Sequence, residues 1–235
     1  MNGPRLLAAL GACIAASCAG PAPTPATRAT TADPIEQACA ELLDAPPERM
    51  TDALRATLAL GREAAPKLAA LLTKRPDAAN VDAGLAALGT LGGADARATL
   101  REFLLARGPH AAAAALALAG CAEDSDRDEL LAIVRDRLAD PALRTACAAT
   151  LLRLGTRAEI AEFVRGVLLA GTPHGRELEA SLGLPRRPRW AFERYLLQRA
   201  LVDAAGQDFG LDTDAPWDAL KAAADRIDAW LRPTR

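Results

Sequence analysis

Aromatic side chains make up only 3% of this chain, and stretches in which Val, Ile, Thr or Tyr alternate with polar residues do not occur. A half-buried β-sheet leaves that alternation in a sequence, so sheet structure has no signature here. Apolar content nevertheless reaches 51%, much of it alanine. Alanine is the best helix former and loses no side-chain entropy on burial. A core made of it requires many small side chains to approach closely, which helices do well. The composition predicts an all-α protein.

Charge of one sign is also missing. Lys and Arg number 28 against 30 Asp and Glu, a formal net charge of −2. Nothing draws the chain as a whole toward nucleic acid or anionic lipid, and any basic contact must be local. A nucleic-acid partner is not expected.

Residues for chemistry are few. Beyond position 17 the serines are Ser125 and Ser181, the histidines are His110 and His174, and neither serine sits in a G-x-S-x-G turn. A serine triad would need one of those pairs to meet. There is no H-E-x-x-H, no phosphate-binding glycine loop, and no C-x-x-C or Cys/His cluster with metal-ligand spacing. The expectation is a protein that is not an enzyme, with no catalytic residue, cofactor or metal.

The amino-terminal stretch MNGPRLLAALGACIAASC carries one basic residue, Arg5, then twelve uncharged, mostly apolar residues before Cys18. A membrane-spanning helix needs roughly 20 such residues, whereas an export signal needs about 7 to 15. Residues 1–17 therefore read as a signal peptide. The run Ile14-Ala15-Ala16-Ser17-Cys18 resembles the lipobox of bacterial lipoproteins. That resemblance implies a diacylglyceryl group on the Cys18 sulfur, cleavage just before it, and acylation of the new amino terminus. Leu10-Gly11-Ala12-Cys13 is a second match and makes Cys13 the alternative anchor, although Arg5 then lies close to it. With Ala19 rather than Asp after Cys18, the resemblance implies an outer-membrane address in the cell envelope. Residues 18–34 are rich in Pro, Ala and Thr with a single Arg28, a composition that cannot bury a core and suits a disordered tether. Downstream, Cys39, Cys121 and Cys147 admit one disulfide, such as Cys121 with Cys147, or three small buried apolar side chains.

The body of the chain repeats. TLALGREAAPKLAALL, ALGTLGGADARATLREFL, ALALAGCAEDSDRDELLAIV and TLLRLGTRAEIAEFV align on Gly61, Gly92, Gly120 and Gly155, spaced by 31, 28 and 35 residues. A helix that must stop and reverse favours a left-handed glycine just past its end. After each glycine comes another helical apolar stripe, such as Ile160, Phe163, Val164, Val167 and Leu168. Each unit is a helical hairpin with a face that only a stacked neighbour can bury.

In ADPALRTACAATLLRLG, Asp140 is placed to cap a helix and Pro141 to occupy its first position, while Leu143, Cys147, Leu151 and Leu154 fall on one face. With Asp140, Arg144 and the closing Leu154-Gly155, this stretch resembles the HEAT repeat of bacterial lyase-like arrays. That resemblance implies an α-solenoid of HEAT-like hairpins over residues 35–172, in which Asp140 and Arg144 join neighbouring repeats. It also raises a rival function, covalent attachment or removal of a bilin chromophore with Cys121, Cys147 or His110 taking part.

Six of the eight aromatic residues fall in the last segment, 173–235, which reads as an aromatic-rich helical cap with helices near 188–205 and 216–231. There the larger rings are expected to fill space that alanines leave. Arg186, Arg187, Arg189 and Trp190 form the one dense basic run and are candidate partner contacts. The functional expectation is a lipid-anchored scaffold for an unidentified protein or peptide of the cell envelope. A chromophore lyase-like enzyme and a purely structural envelope protein are the alternatives.

Overall fold

The computed structural model describes residues 33–170, 180–183, 191–212 and 215–232. Among them are eleven α-helices, joined by loops and short 3-10 turns, and no strand. In chain order these are α1 (Pro34–Asp44), α2 (Met50–Ala59), α3 (Ala64–Lys74), α4 (Val81–Leu91), α5 (Ala94–Leu105) and α6 (Ala111–Leu118). They continue with α7 (Arg127–Arg135), α8 (Pro141–Arg153), α9 (Ala161–Leu169), α10 (Ala191–Ala205) and α11 (Trp217–Leu231). The protein is all-α, as its composition predicts.

Helix ends follow local chemistry. Asp33 accepts a hydrogen bond from the Ile35 amide at 3.0 Å ahead of Pro34. Asp140 accepts from Ala142 at 2.8 Å and Leu143 at 3.3 Å ahead of Pro141. In each case a carboxylate satisfies an amide that the first helical turn leaves free, and proline occupies a position where no N–H is needed. Gly61, Gly92 and Gly155 stand past the ends of α2, α4 and α8 in the left-handed region, at φ 67°, 69° and 75°. Gly120, the fourth glycine of the repeat, does not. A Cβ there would collide with the Gly89 carbonyl, and a Cβ on Gly89 would collide with Ala117. Here glycine lets α4 and the end of α6 meet backbone to backbone, so one sequence period has two physical causes.

The helices pack in two layers. The even-numbered helices α2, α4, α6, α8 and α10 each pack on the next, and each odd-numbered helix from α1 to α9 packs behind the even one that follows it. Within the odd set α1 packs on α3, α3 on α5, and α11 on α9. The core between the layers is aliphatic: Leu43, Leu68, Leu72, Leu85, Leu88, Leu100, Leu118, Leu130 and Leu151 are all fully buried. Each such leucine removes enough apolar surface from water to contribute about 1.5–3 kcal/mol.

Helix α8 is buried from Pro141 through Leu152 apart from Ala142, which is partly covered. It lies between α6 and α10 with α7 behind it. The Thr150 hydroxyl donates to Ala115 O of α6 at 2.6 Å, with Ala146 O of its own helix at 3.1 Å.

The rings of the last segment divide. Phe209 is buried and packs 5.7 Å from Trp230, over which the Arg157 guanidinium sits at 3.9 Å. Phe192 and Tyr195, by contrast, are 61% and 62% exposed. The expectation that large rings fill interhelical space therefore does not extend to these two.

Candidate functional site

Short connections put charged side chains along one edge of the stack. Gly92 and Gly93 turn the chain from α4 into α5, and one turn later Arg97 points across to the connection between α6 and α7. That connection is closed on itself. The Glu123 amide donates to Asp126 Oδ2 and the Asp126 amide to Glu123 O, both at 2.9 Å. Asp126 is thereby held with its side chain fully buried. Arg97 meets it with Nε to Oδ2 and Nη2 to Oδ1, both at 2.9 Å, and also reaches Glu123 at 2.5 Å. Arg101, one turn further along α5, lies 3.4 Å from Asp126 and 3.1 Å from Glu129. Burial pushes the Asp126 carboxyl up, but the Arg97 hydrogen bonds, the Glu123 amide and the charges of Arg97 and Arg101 outweigh it and hold Asp126 below its ordinary range.

Beside this cluster opens a cleft of about 450 Å³ lined by Arg62, Gly92, Gly93, Arg97, Arg101 and Cys121, among others. Cys121 is partly covered, and burial first, then the nearby carboxylates, push its thiol up. A thiol so placed is held protonated, the opposite of what a nucleophilic cysteine requires. Cys147 is buried in α8 with its thiol pushed up to about 12. His110 precedes α6, where its Nδ1 lies 2.7 Å from Asp82 and its ring meets Phe103 edge-on. Cys121 follows α6, so an eight-residue helix, about 12 Å long, separates it from His110. The three residues named for chromophore chemistry thus occupy three different environments. All three described cysteines are free thiols.

Asp140 and Arg144 lie on the same helix but act differently. Asp140 caps α8. Arg144 is buried, donating from Nε to Val134 O at 2.9 Å and from Nη1 to Leu182 O at 3.0 Å, with its guanidinium 4.8 Å from the Phe163 ring centroid. It ties α8 to the end of α7, to α9 and to the segment 180–183. Burial pulls its pKa down. Other Arg–Asp pairs link successive hairpins: Arg75 with Asp44, Arg97 with Asp126 and Arg107 with Asp136. They are 31, 29 and 29 residues apart, close to the glycine period.

Further openings lie elsewhere among the described residues. One, of about 510 Å³, is formed by the loops before α6 and α8, with Arg107, Pro109, Leu138 and Leu143 on its walls. Another, of about 360 Å³, runs over the even-numbered layer between Asp82, Ala86 and Thr90 of α4, Leu116 and Ala117 of α6, and Arg153 of α8. Its floor is the Gly89–Gly120 contact.

Cys13, Cys18, Arg186, Arg187, Arg189 and Trp190 lie outside the described residues. Among the described residues no group of three His, Cys, Asp or Glu side chains is placed to hold a metal ion. No helix among them is long and apolar enough to cross a membrane. Neither family models, nor curated proteins, nor solved structures give a match to this chain.

Proposed function

We propose that this chain is an exported protein, lipid-anchored through Cys18, whose body is an α-solenoid of HEAT-like hairpins that holds another protein or peptide of the cell envelope. The observation that carries this reading is the groove over the even-numbered layer. Its floor is backbone and alanine, with Leu116 on one wall and Asp82 and Arg153 at its margins. Such a surface accepts an extended or helical segment closely, because its floor carries no large side chain. The continuous packing from α2 to α10 supports the solenoid reading, since each helix of that layer covers a face that its own hairpin leaves open.

The test places a photo-crosslinking amino acid at Ala86 or Leu116, and at Glu48 as a distant exposed control, in the native envelope. A single partner captured from the first two positions, not from the third, and lost on Ala86→Arg, is the expected result. Equal capture from all three positions overturns the groove assignment. Intact mass of the membrane-extracted chain tests the anchor. A chain beginning at Cys18 with added acyl mass, absent in Cys18→Ser, is expected, and an unmodified chain beginning downstream of Cys18 overturns it.

A further inference from the structure

Within the odd-numbered layer α1 packs closely on α3 and α3 on α5, but the sequence of contacts breaks there. Among the described residues the one α-helix against which α7 packs closely is α8. What α5 and α7 offer each other is charge. Arg97 and Arg101, four residues apart, share a face of α5 and meet Asp126 and Glu129, three residues apart at the start of α7. At the other end of the two helices Arg107 donates to Asp136 at 2.6 Å. Each end opens into a cleft, one lined by Arg97 and Arg101, the other by Arg107 and Leu138. The ends are unequal. Asp126 is fully buried and gripped through both oxygens, whereas the Arg107 and Asp136 side chains are 50% and 29% exposed and share one hydrogen bond. Arg107 is also the one described residue other than glycine in the left-handed region, at φ 50°, where its Cβ is crowded.

We propose that the joint between α5 and α7 is a hinge closed by ion pairs, with the buried Arg97–Asp126 pair as its pivot and the exposed Arg107–Asp136 pair as its latch. Dissolved salt weakens a pair that water reaches and acts much less on a buried one, so the two ends let go under different conditions. Release of the latch frees Arg107 to leave the left-handed region, which favours the open form. No close helix packing between α5 and α7 has to be broken. The even-numbered layer behind them stays continuous, because α6 packs on α8 and the Thr150 hydroxyl donates to Ala115 O. The stack therefore bends at this joint while the hairpins on either side keep their own contacts. The groove over the even-numbered layer crosses α4, α6 and α8, so the bend alters the surface offered to a bound segment. That consequence rests on the proposed function, and the hinge itself does not.

The test measures two distances in the full chain by pulsed electron–electron resonance, with spin labels on keto-bearing unnatural residues so that the native thiols stay untouched. One label pair, at Leu105 and Arg135, spans the latch from the end of α5 to the end of α7. The other, at Asp95 and Asp128, spans the pivot. All four positions are exposed and on helices. Raising salt from 0.1 M to 1 M shortens the screening length from about 10 Å to about 3 Å. The latch distance is expected to lengthen by several ångströms and the pivot distance to stay the same. In Arg107→Gln and in Asp136→Asn the latch distance is expected to be long at low salt already and to respond no further. Asp136→Asn keeps an oxygen for the Leu138 amide, and the parent in high salt needs no substitution, so the result does not depend on one variant folding. A latch distance that is the same in high salt and in both variants overturns the hinge. So does lengthening of both distances together, which marks α7 leaving the stack as a whole. Neither distance involves a partner or an acyl chain, so a failed hinge and a failed scaffold reading are told apart.

Discussion

Arg97 holds Asp126 through both carboxylate oxygens, at 2.9 Å each, across 29 residues of sequence, and the carboxylate it holds is fully buried. The pair joins α5 to the start of α7, with Glu123, Arg101 and Glu129 around it. Removing Asp126 leaves Arg97 with Glu123 as its remaining carboxylate and takes the acceptor from the Glu123 amide.

Asp126→Ala is therefore expected to lower stability by about 2–3 kcal/mol through the lost charge-assisted hydrogen bonds, read from urea unfolding. The loss depends on pH in a defined direction. The folded-state pKa of Asp126 lies below its unfolded value, so its contribution is complete above the ordinary aspartate range, near pH 4, and is lost as pH falls through the folded pKa. The stability difference between parent and variant is constant from about pH 5 upward and narrows below about pH 4. A difference that widens on acidification contradicts the assignment.

Gly89 and Gly92 sit three residues apart and are glycine for different reasons. Alanine at 89 drives a methyl into the Ala117 backbone of α6, while alanine at 92 meets open space and bears only the strain of a left-handed residue. Gly92→Ala is expected to cost about 1 kcal/mol. Gly89→Ala is expected to cost more, about 2–3 kcal/mol, because two helix backbones must separate. Thermal unfolding of the two variants, with midpoints ordered Gly89→Ala below Gly92→Ala, checks this.

Arg144 is a buried cation bonded to two carbonyls, and Arg144→Met is close in length but has no donor. The Val134 and Leu182 carbonyls then lose a partner, at about 1–3 kcal/mol for each that stays buried. The segment carrying Leu182 is freed from α8. Limited proteolysis is expected to cut the variant near Leu182 several times faster than the parent, with Arg144→Lys intermediate because one ammonium reaches one carbonyl more readily than two. Equal cleavage of all three proteins argues that Arg144 does not hold this segment.

Thiol labelling of the folded protein is expected to modify Cys121 slowly, and Cys39 and Cys147 only on unfolding. Cys121 is partly covered, Cys147 is buried with a pKa of about 12, and the buried Cys39 thiol faces Ala64 O at 3.9 Å. Labelling rates of single-cysteine variants above neutral pH read this order directly. Modification of Cys147 as fast as Cys121 contradicts the burial of α8.

Much of the fold was legible in particular residues. Asp140 and Pro141 announced a helix start, and Gly61, Gly92 and Gly155 announced helix ends, because each depends on neighbours within about one or two turns. The site was less legible. Asp140 and Arg144 stood out as a pair in the sequence, yet one caps its own helix and the other reaches Leu182, 38 residues away. The Arg75–Asp44, Arg97–Asp126 and Arg107–Asp136 links drew no notice, since arginine and aspartate are common and only their near-equal separation set them apart.

By itself, then, the sequence determined that the chain is helical, where many of its helices begin and end, and that they recur at intervals of about 30 residues. Those outcomes follow from propensity, capping and the 3.6-residue period, all of which act over short distances along the chain. Tertiary structure alone decided three others. Gly120 marks a contact and not a turn, Asp126 is buried where most carboxylates are not, and Phe192 and Tyr195 face outward while Phe209 faces in. Each turns on which helix stacks beside which, and that is set by pairing residues far apart in sequence, where local chemistry exerts no preference.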